Sequence, residues 1–205
     1  MKLSNLLFTT VSLLVLNSCA SGYKNIEPKT LNFNSTNTTE GVSLAYKYDL
    51  LDKKYKKKES KNNLKLVAVK ITNSTDKDLV FGSDIKITTE NGSEIFLLEN
   101  DVVYKTIKQS PASYLWYLLL SPMNFMTTKT NTYGQPETTS TTPVGLILGP
   151  GLAAGNMIAA SSANTKFKKD LLNYNIVGTT IKKGETAYGL IGIKSNNYDS
   201  LKLKF

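Results

Sequence analysis

The chain has no histidine and a single cysteine among its 205 residues, and these two shortages remove much of the usual enzymology. Without histidine the commonest general base is missing, and with it the serine triad and most zinc sites. Cys19 stands alone, so no disulfide forms within the chain and no second thiol serves a redox pair. A domain without disulfides has to be held by its core. The glycine-rich stretch over 145–155 is followed by no Gly-Lys-Ser or Gly-Lys-Thr, since lysines begin again only at Lys166, and a phosphate cradle needs that lysine. No Asp-x-Asp-x-Asp-Gly calcium loop occurs. The nearest carboxylate pairs, Asp49 with Asp52 and Asp76 with Asp78, fall beside turns and lysines, where solvation or turn capping accounts for them. We therefore expect no enzyme, no cofactor and no metal site.

What is present begins with an address. Lys2 and the apolar stretch from Leu6 to Leu16 have the layout of a secretion signal. The stretch is shorter than the roughly 20 residues that cross a bilayer and ends in a cysteine rather than a stop-transfer pattern. Leu16-Asn17-Ser18-Cys19 resembles a lipobox, in which the cysteine becomes the first residue after cleavage and its sulfur carries the diacylglyceryl group. Each buried methylene adds about 0.8 kcal/mol, so two or three acyl chains hold a protein at a membrane where one does not. This reading divides the chain into a signal peptide over 1–18, a lipidated Cys19 with a flexible tether over 19–40, and a folded domain over 41–205. Cleavage removes 18 of the 205 residues and leaves about 187, enough for one ordinary domain. The formal charge of +9 includes Lys2 and leaves about +8 on the mature chain, a balance suited to anionic lipid or other envelope polyanions. Nucleic acid is not expected as a partner of an anchored envelope protein.

The folded part reads as mainly β. Asn32–Thr39 is almost all Asn, Ser and Thr, which suits a tether. Val42, Leu44 and Tyr46 then alternate with Ser43, Ala45 and Lys47, the period of a half-buried strand. Lys53, Lys54, Lys56, Lys57 and Lys58 surround Tyr55 in the densest charge run; we expect a solvated loop there, with contact to an anionic surface as the functional alternative. Leu64 to Ile71 is apolar on both faces and predicts a central strand whose Lys65 end lies near solvent. A turn over Thr72–Asp78 follows, then strand material at Leu79–Phe81 and Ile85–Thr89, an Asn91-Gly92 hairpin returning through Glu94–Leu98, and a strand or short helix at Val102–Lys108. Near the end, Thr186–Ile193 is a strand with Ala187, Gly189, Ile191 and Ile193 on one face and Tyr188 and Leu190 on the other. Leu201, Leu203 and Phe205 alternate with Lys202 and Lys204, as in an edge strand. Six or seven short strands predict an antiparallel β-sandwich.

The middle breaks that pattern. Tyr114-Leu115-Trp116-Tyr117-Leu118-Leu119-Leu120 and the small apolar run from Pro143 to Ala160, which holds Leu146, Ile147 and Leu148, do not alternate. Both predict an apolar, partly helical insertion over about 113–164, bridged by threonine-rich chain from Thr127 to Thr142. The second run is expected to break or kink around Gly149-Pro150-Gly151 and to end at Ser161–Asn164. An amphipathic extension over Lys166–Leu172 would turn Phe167 and Leu171 inward. Gly145 with Gly149, and Gly151 with Gly155, are spaced for close helix approach. The insertion is expected to cover an open end or face of the sandwich. Dipping into the leaflet that carries the lipid, with Trp116 at the interface, and forming an oligomer contact or pore-like assembly are the alternatives.

The strand block Leu64–Thr75, with Ile181-Lys182-Lys183-Gly184-Glu185-Thr186 and Tyr188-Gly189-Leu190-Ile191, resembles immunoglobulin-like lipoproteins of the Bacteroidetes, in which an early strand ends in an Asn-Ser turn and a late one starts after a Lys-Gly-Glu turn. The resemblance covers about Leu64 to Ile193 and implies an immunoglobulin-like fold and an envelope address; it carries no catalytic or ligand residues. Some such lipoproteins have an acidic run after the cysteine that sends them to the cell surface. Here Ala20, Ser21, Gly22 and Tyr23 follow, which favours an outer-membrane anchor facing the periplasm. The function expected is an accessory or interaction domain with an envelope protein partner. The alternative is a binder of an apolar or glycan ligand, with Tyr114, Trp116 and Tyr117 lining a groove.

Overall fold

A computed structural model describes residues 19–205; the signal expected over 1–18 lies outside the described residues. The described chain divides into two compact units, one made of the residues up to Gly22 with Gln109–Ser162, the other of Tyr23–Lys108 with Ala163–Phe205.

The larger unit is built on an antiparallel sheet. Strands β1 (Ser35–Thr39), β2 (Val42–Lys47), β3 (Leu64–Asn73), β10 (Thr186–Lys194) and β6 (Leu97–Leu98) pair in that spatial order. The doubly apolar strand predicted at Leu64 is thus central. It runs in register with β10 from Thr186 opposite Thr72 to Lys194 opposite Leu64. Its period of two feeds two cores, as strand geometry requires. Val67, Val69 and Ile71 join Val42, Leu44, Ile191 and Ile193 on one side. Leu64, Leu66 and Ala68 join Leu190 on the other.

The first core is closed by short paired strands: β4 (Leu79–Val80) with β9 (Thr180–Ile181), and β5 (Lys86–Thr89) with β11 (Leu201–Lys204). Leu79, Phe81, Ile85, Ile87, Ile181, Leu201 and Leu203 supply its apolar lining. The second core is closed by helices instead. Tyr55 of α1 (Lys53–Lys61), Val103 and Ile107 of α2 (Asn100–Ile107), and Phe167 and Leu171 of α3 (Gly145–Asn173) pack there. Gly192 is what lets α2 come so close, because a Cβ on it would lie 2.2 Å from Val103 Cγ2.

Several expectations change. The tether over 19–40 is ordered: Tyr23, Ile26, Leu31 and Phe33 pack in the second core, the Ile26 N–H and Tyr23 hydroxyl donate to Asp170 at 2.8 and 3.0 Å, and β1 pairs with β2 across Glu40-Gly41. Both turn residues have positive φ, 48° and 82°, the geometry that suits strand twist in a two-residue hairpin. Lys53–Lys61 is a helix and not a loop. Lysine is a fair helix former, and Tyr55 and Glu59, four apart, both turn inward. Lys65 is buried, its ammonium 4.3 Å from the centre of the Tyr198 ring. The stretch after Glu99 resolves to helix.

The predicted turns are present. Asn73 donates through Nδ2 to the carbonyls of Lys77 and Ile181 and accepts from Thr75. Gly184 donates its N–H to the Asn73 carbonyl at 2.7 Å, so the Asn-Ser and Lys-Gly-Glu turns are adjacent.

The smaller unit contains a ten-residue 3₁₀ helix, Pro111–Leu120, an antiparallel hairpin of β7 (Phe125–Thr130) and β8 (Pro136–Thr142), and the first part of α3. The threonine-rich bridge is therefore a hairpin, and all of its strand residues are exposed. Helix α3 is continuous: Pro150 lies inside it without ending it, and it passes through Ser161–Asn164 to Asn173.

Candidate functional site

Ala20 and Ser21 belong to the smaller unit and are fixed within it. The Ala20 N–H donates to Asn156 Oδ1 at 2.5 Å, and the Ser21 N–H donates to Gln109 Oε1 at 3.0 Å. Gln109 Nε2 returns a bond to the Ser21 carbonyl at 2.6 Å, and the Tyr114 hydroxyl donates to Gln109 Oε1 at 3.2 Å. Gln109 is buried, so this amide clasp is screened from water and correspondingly firm. Exposed Cys19 is the next residue along the chain from the clasp.

The unit's own core is small. Tyr114, Tyr117, Ala153 and Ala160 are buried with Ala20, Leu120, Leu152 and Met157 around them. The Tyr114 and Tyr117 rings stack with centroids 6.4 Å apart. Helix α3 reaches the end of the 3₁₀ helix through two glycines. A Cβ on Gly145 would lie 2.1 Å from the Leu120 carbonyl oxygen, and one on Gly149 would lie 2.7 Å from Ser121 Oγ. Gly151 and Gly155 face open space, so the two glycine pairs have different roles.

Many of the unit's larger apolar side chains are exposed instead. Trp116 is 74% exposed, Leu119 67%, Ile147 78% and Ile158 71%, with Leu118, Leu146 and Leu148 also exposed. Of the residues expected to form an apolar contact, Trp116, Leu118, Leu146, Ile147 and Leu148 lie on this surface, whereas Tyr114 and Tyr117 stack inside. A further signal was open to reading: between Gln109 and Thr165 the only charged residues are Lys129 and Glu137, both on the hairpin. Exposed apolar side chains gathered in one small unit are a feature that interaction surfaces share.

The lysine run forms a second candidate. Lys53, Lys56, Lys57 and Lys61 are exposed, while Lys54 and Lys58 are half-buried. Lys56 pairs with Asp49 at 2.9 Å, and Tyr198 donates its hydroxyl to the same carboxylate. The hydrogen bond from Lys56 is the main reason the Asp49 carboxyl is held below its ordinary value. Lys58 donates to the Lys108 carbonyl, and burial, with Lys108 and Lys61 nearby, lowers its pKa. Glu59 is buried, and its carboxyl is pushed up by desolvation although it accepts the Leu66 N–H at 2.8 Å. Lys53, Lys57 and Lys61 recur every four residues, which places them on one helix face.

The carboxylate pairs stay apart in role. Asp78 accepts the Lys183 N–H at 2.9 Å, and Asp52 stands at the N-terminus of α1. Among the described residues no group of three or more Asp, Glu, His or Cys side chains gathers to hold a metal. Two clefts of the larger unit, one of about 170 Å³ lined by Lys86, Ile87, Glu94 and Phe96 among others and an open one of about 440 Å³ lined by Thr89, Glu90, Asn91, Asp199 and Ser200, include none of Tyr114, Trp116 and Tyr117. The chain matches no protein-family model, no curated protein and no solved structure.

Proposed function

We propose that the protein is a non-catalytic lipoprotein of the cell envelope, anchored by acyl chains on Cys19 and acting as an interaction module through its smaller unit. The observation that carries this reading is the coincidence, in one small unit, of the exposed apolar surface around Trp116 and Ile147 with the clasp that fixes Ala20 and Ser21. In this account the unit is positioned at the anchor and carries a surface of the kind that docks. An immunoglobulin-like ancestry for the paired strands, and an outer-membrane site facing the periplasm, are parts of the same proposal.

The ligand-binder alternative has less support. Tyr114 and Tyr117 turn toward each other within the unit, which leaves only Trp116 of the three aromatics available to a ligand.

Intact-mass analysis of protein recovered from envelope membranes tests the anchor. The expected result is a chain beginning at residue 19 and carrying acyl mass, with a Cys19→Ser variant that carries none. An unmodified, readily extracted native chain would refute the proposal.

A further inference from the structure

We propose that the apolar surface of the smaller unit seats in the lipid leaflet that receives the acyl chains of Cys19, making this unit a monotopic membrane element. The inference rests on the anchor reading above and names what the docking surface contacts.

Three observations favour a leaflet over a protein partner. The first is continuity. Asn156, which binds the Ala20 N–H, lies on the same helix as exposed Leu148 and Ile158. The acyl chains would therefore leave Cys19 at the unit that carries the exposed apolar side chains, and the clasp on Ala20 and Ser21 leaves no flexible tether between anchor and unit.

The second is charge. Helix α3 up to Thr165 and the 3₁₀ helix carry no ionisable group other than tyrosine, and the region's two charges stand on the hairpin. A protein interface ordinarily has a polar, partly charged rim, and these two helices supply no charged side chain for one. The third is the make-up of α3, which is long and apolar enough to be a candidate for crossing a membrane, yet has only 28% of its most apolar window buried. A helix serving the core of a soluble protein would be mostly covered.

Lying in the interface fits better than crossing. The ten residues of the 3₁₀ helix, at about 2 Å each, fall short of the roughly 30 Å hydrocarbon layer. Helix α3 has the length to cross, but its first turns are held against this short 3₁₀ helix at Gly145 and Gly149, and beyond Thr165 it gains Lys166, Lys168, Lys169 and Asp170, which end its apolar character. Trp116 belongs to the residue type that settles at headgroup level.

Trp116 is the sole tryptophan, so the native chain carries its own probe. The lipidated chain is reconstituted in phosphatidylethanolamine–phosphatidylglycerol vesicles with or without brominated acyl chains, and flotation is scored beside tryptophan emission. The inference predicts loss of most Trp116 emission with brominated lipid, a blue shift, and little access for aqueous iodide. Full-length Cys19→Ser protein added to the same vesicles should show the same quenching at higher lipid concentration. A native chain that floats while Trp116 stays open to iodide overturns the inference and leaves the anchor standing. A chain without acyl mass whose Trp116 is still quenched by brominated lipid overturns the anchor alone. Protection of Trp116 without vesicles, together with a doubled mass in solution, would assign the surface to a second copy and overturn the inference.

Discussion

In the larger unit Val67, Val69 and Ile71 have no exposed surface, and every long aliphatic side chain of β3 lies in one of two cores. In the smaller unit Ile147 and Trp116 stand mostly in the open while a core of two tyrosines and small residues holds the fold. Apolar side chains stabilise the larger unit by leaving water, at about 25 cal/mol per Å². In the smaller unit much of that surface stays outside, so its side chains are available to something else. The charges divide in the opposite sense, crowding onto the larger unit and almost deserting the smaller.

One chemical change made in both regions gives the widest separation. Val67→Asp places an unpaired carboxylate in a closed core, costs more than about 4 kcal/mol, and should leave no cooperative melting transition by circular dichroism. Ile147→Asp should melt like the wild type yet bind vesicles more weakly in flotation. Equal damage from both would break the comparison.

Removing bulk sharpens it. The Phe167 ring lies 5.4 Å from both Tyr23 and Tyr55, and Phe167→Ala should cost about 3–5 kcal/mol in denaturant unfolding. A smaller but more local contrast uses the glycines of α3. Gly145→Ala drives a methyl group into the Leu120 carbonyl and should cost about 1–3 kcal/mol, whereas Gly151→Ala meets open space and should gain up to about 1 kcal/mol from helix propensity.

Glu59 gives a pH signature to the larger unit. Its carboxyl is raised above the ordinary 4.5 by burial, so between 4.5 and the raised value the folded chain holds more protons than the unfolded one. Stability should therefore fall as pH rises through that window. Glu59→Gln keeps an oxygen for the Leu66 N–H and removes the charge. Its Tm should exceed the wild type near neutral pH, by roughly 2–4 °C for about 1 kcal/mol, and the difference should vanish in acid below the window. The smallest effect is expected at Asp49, which is half exposed where it meets Lys56; Asp49→Asn should change unfolding free energy by less than about 1 kcal/mol.

The main sheet was legible because β3 and β10 are largely apolar on both faces and β2 alternates. The hairpin at Asn91-Gly92 and the turns at Asn73 and Gly184 were legible from turn chemistry. Polar and charged composition misled twice. β1 is made wholly of Ser, Thr and Asn because it is a half-exposed edge strand held by its pairing with β2. The lysine run hides a helix because only Tyr55 and Glu59 reveal the inward face. Lost alternation marked out the segment around Tyr114–Leu120, but which of its aromatics faced outward was not readable. Tyr114 and Tyr117, three apart on a 3₁₀ turn, eclipse and stack inward, leaving Trp116 outside.

The most direct test of the division between the units is residue mapping with a photoactivatable lipid in vesicles carrying the native lipidated chain. Labels confined to residues 115–119 and 146–158 are the predicted result. Labels spread over β3, β10 and the lysine helix, with none on Trp116 or Ile147, would contradict it.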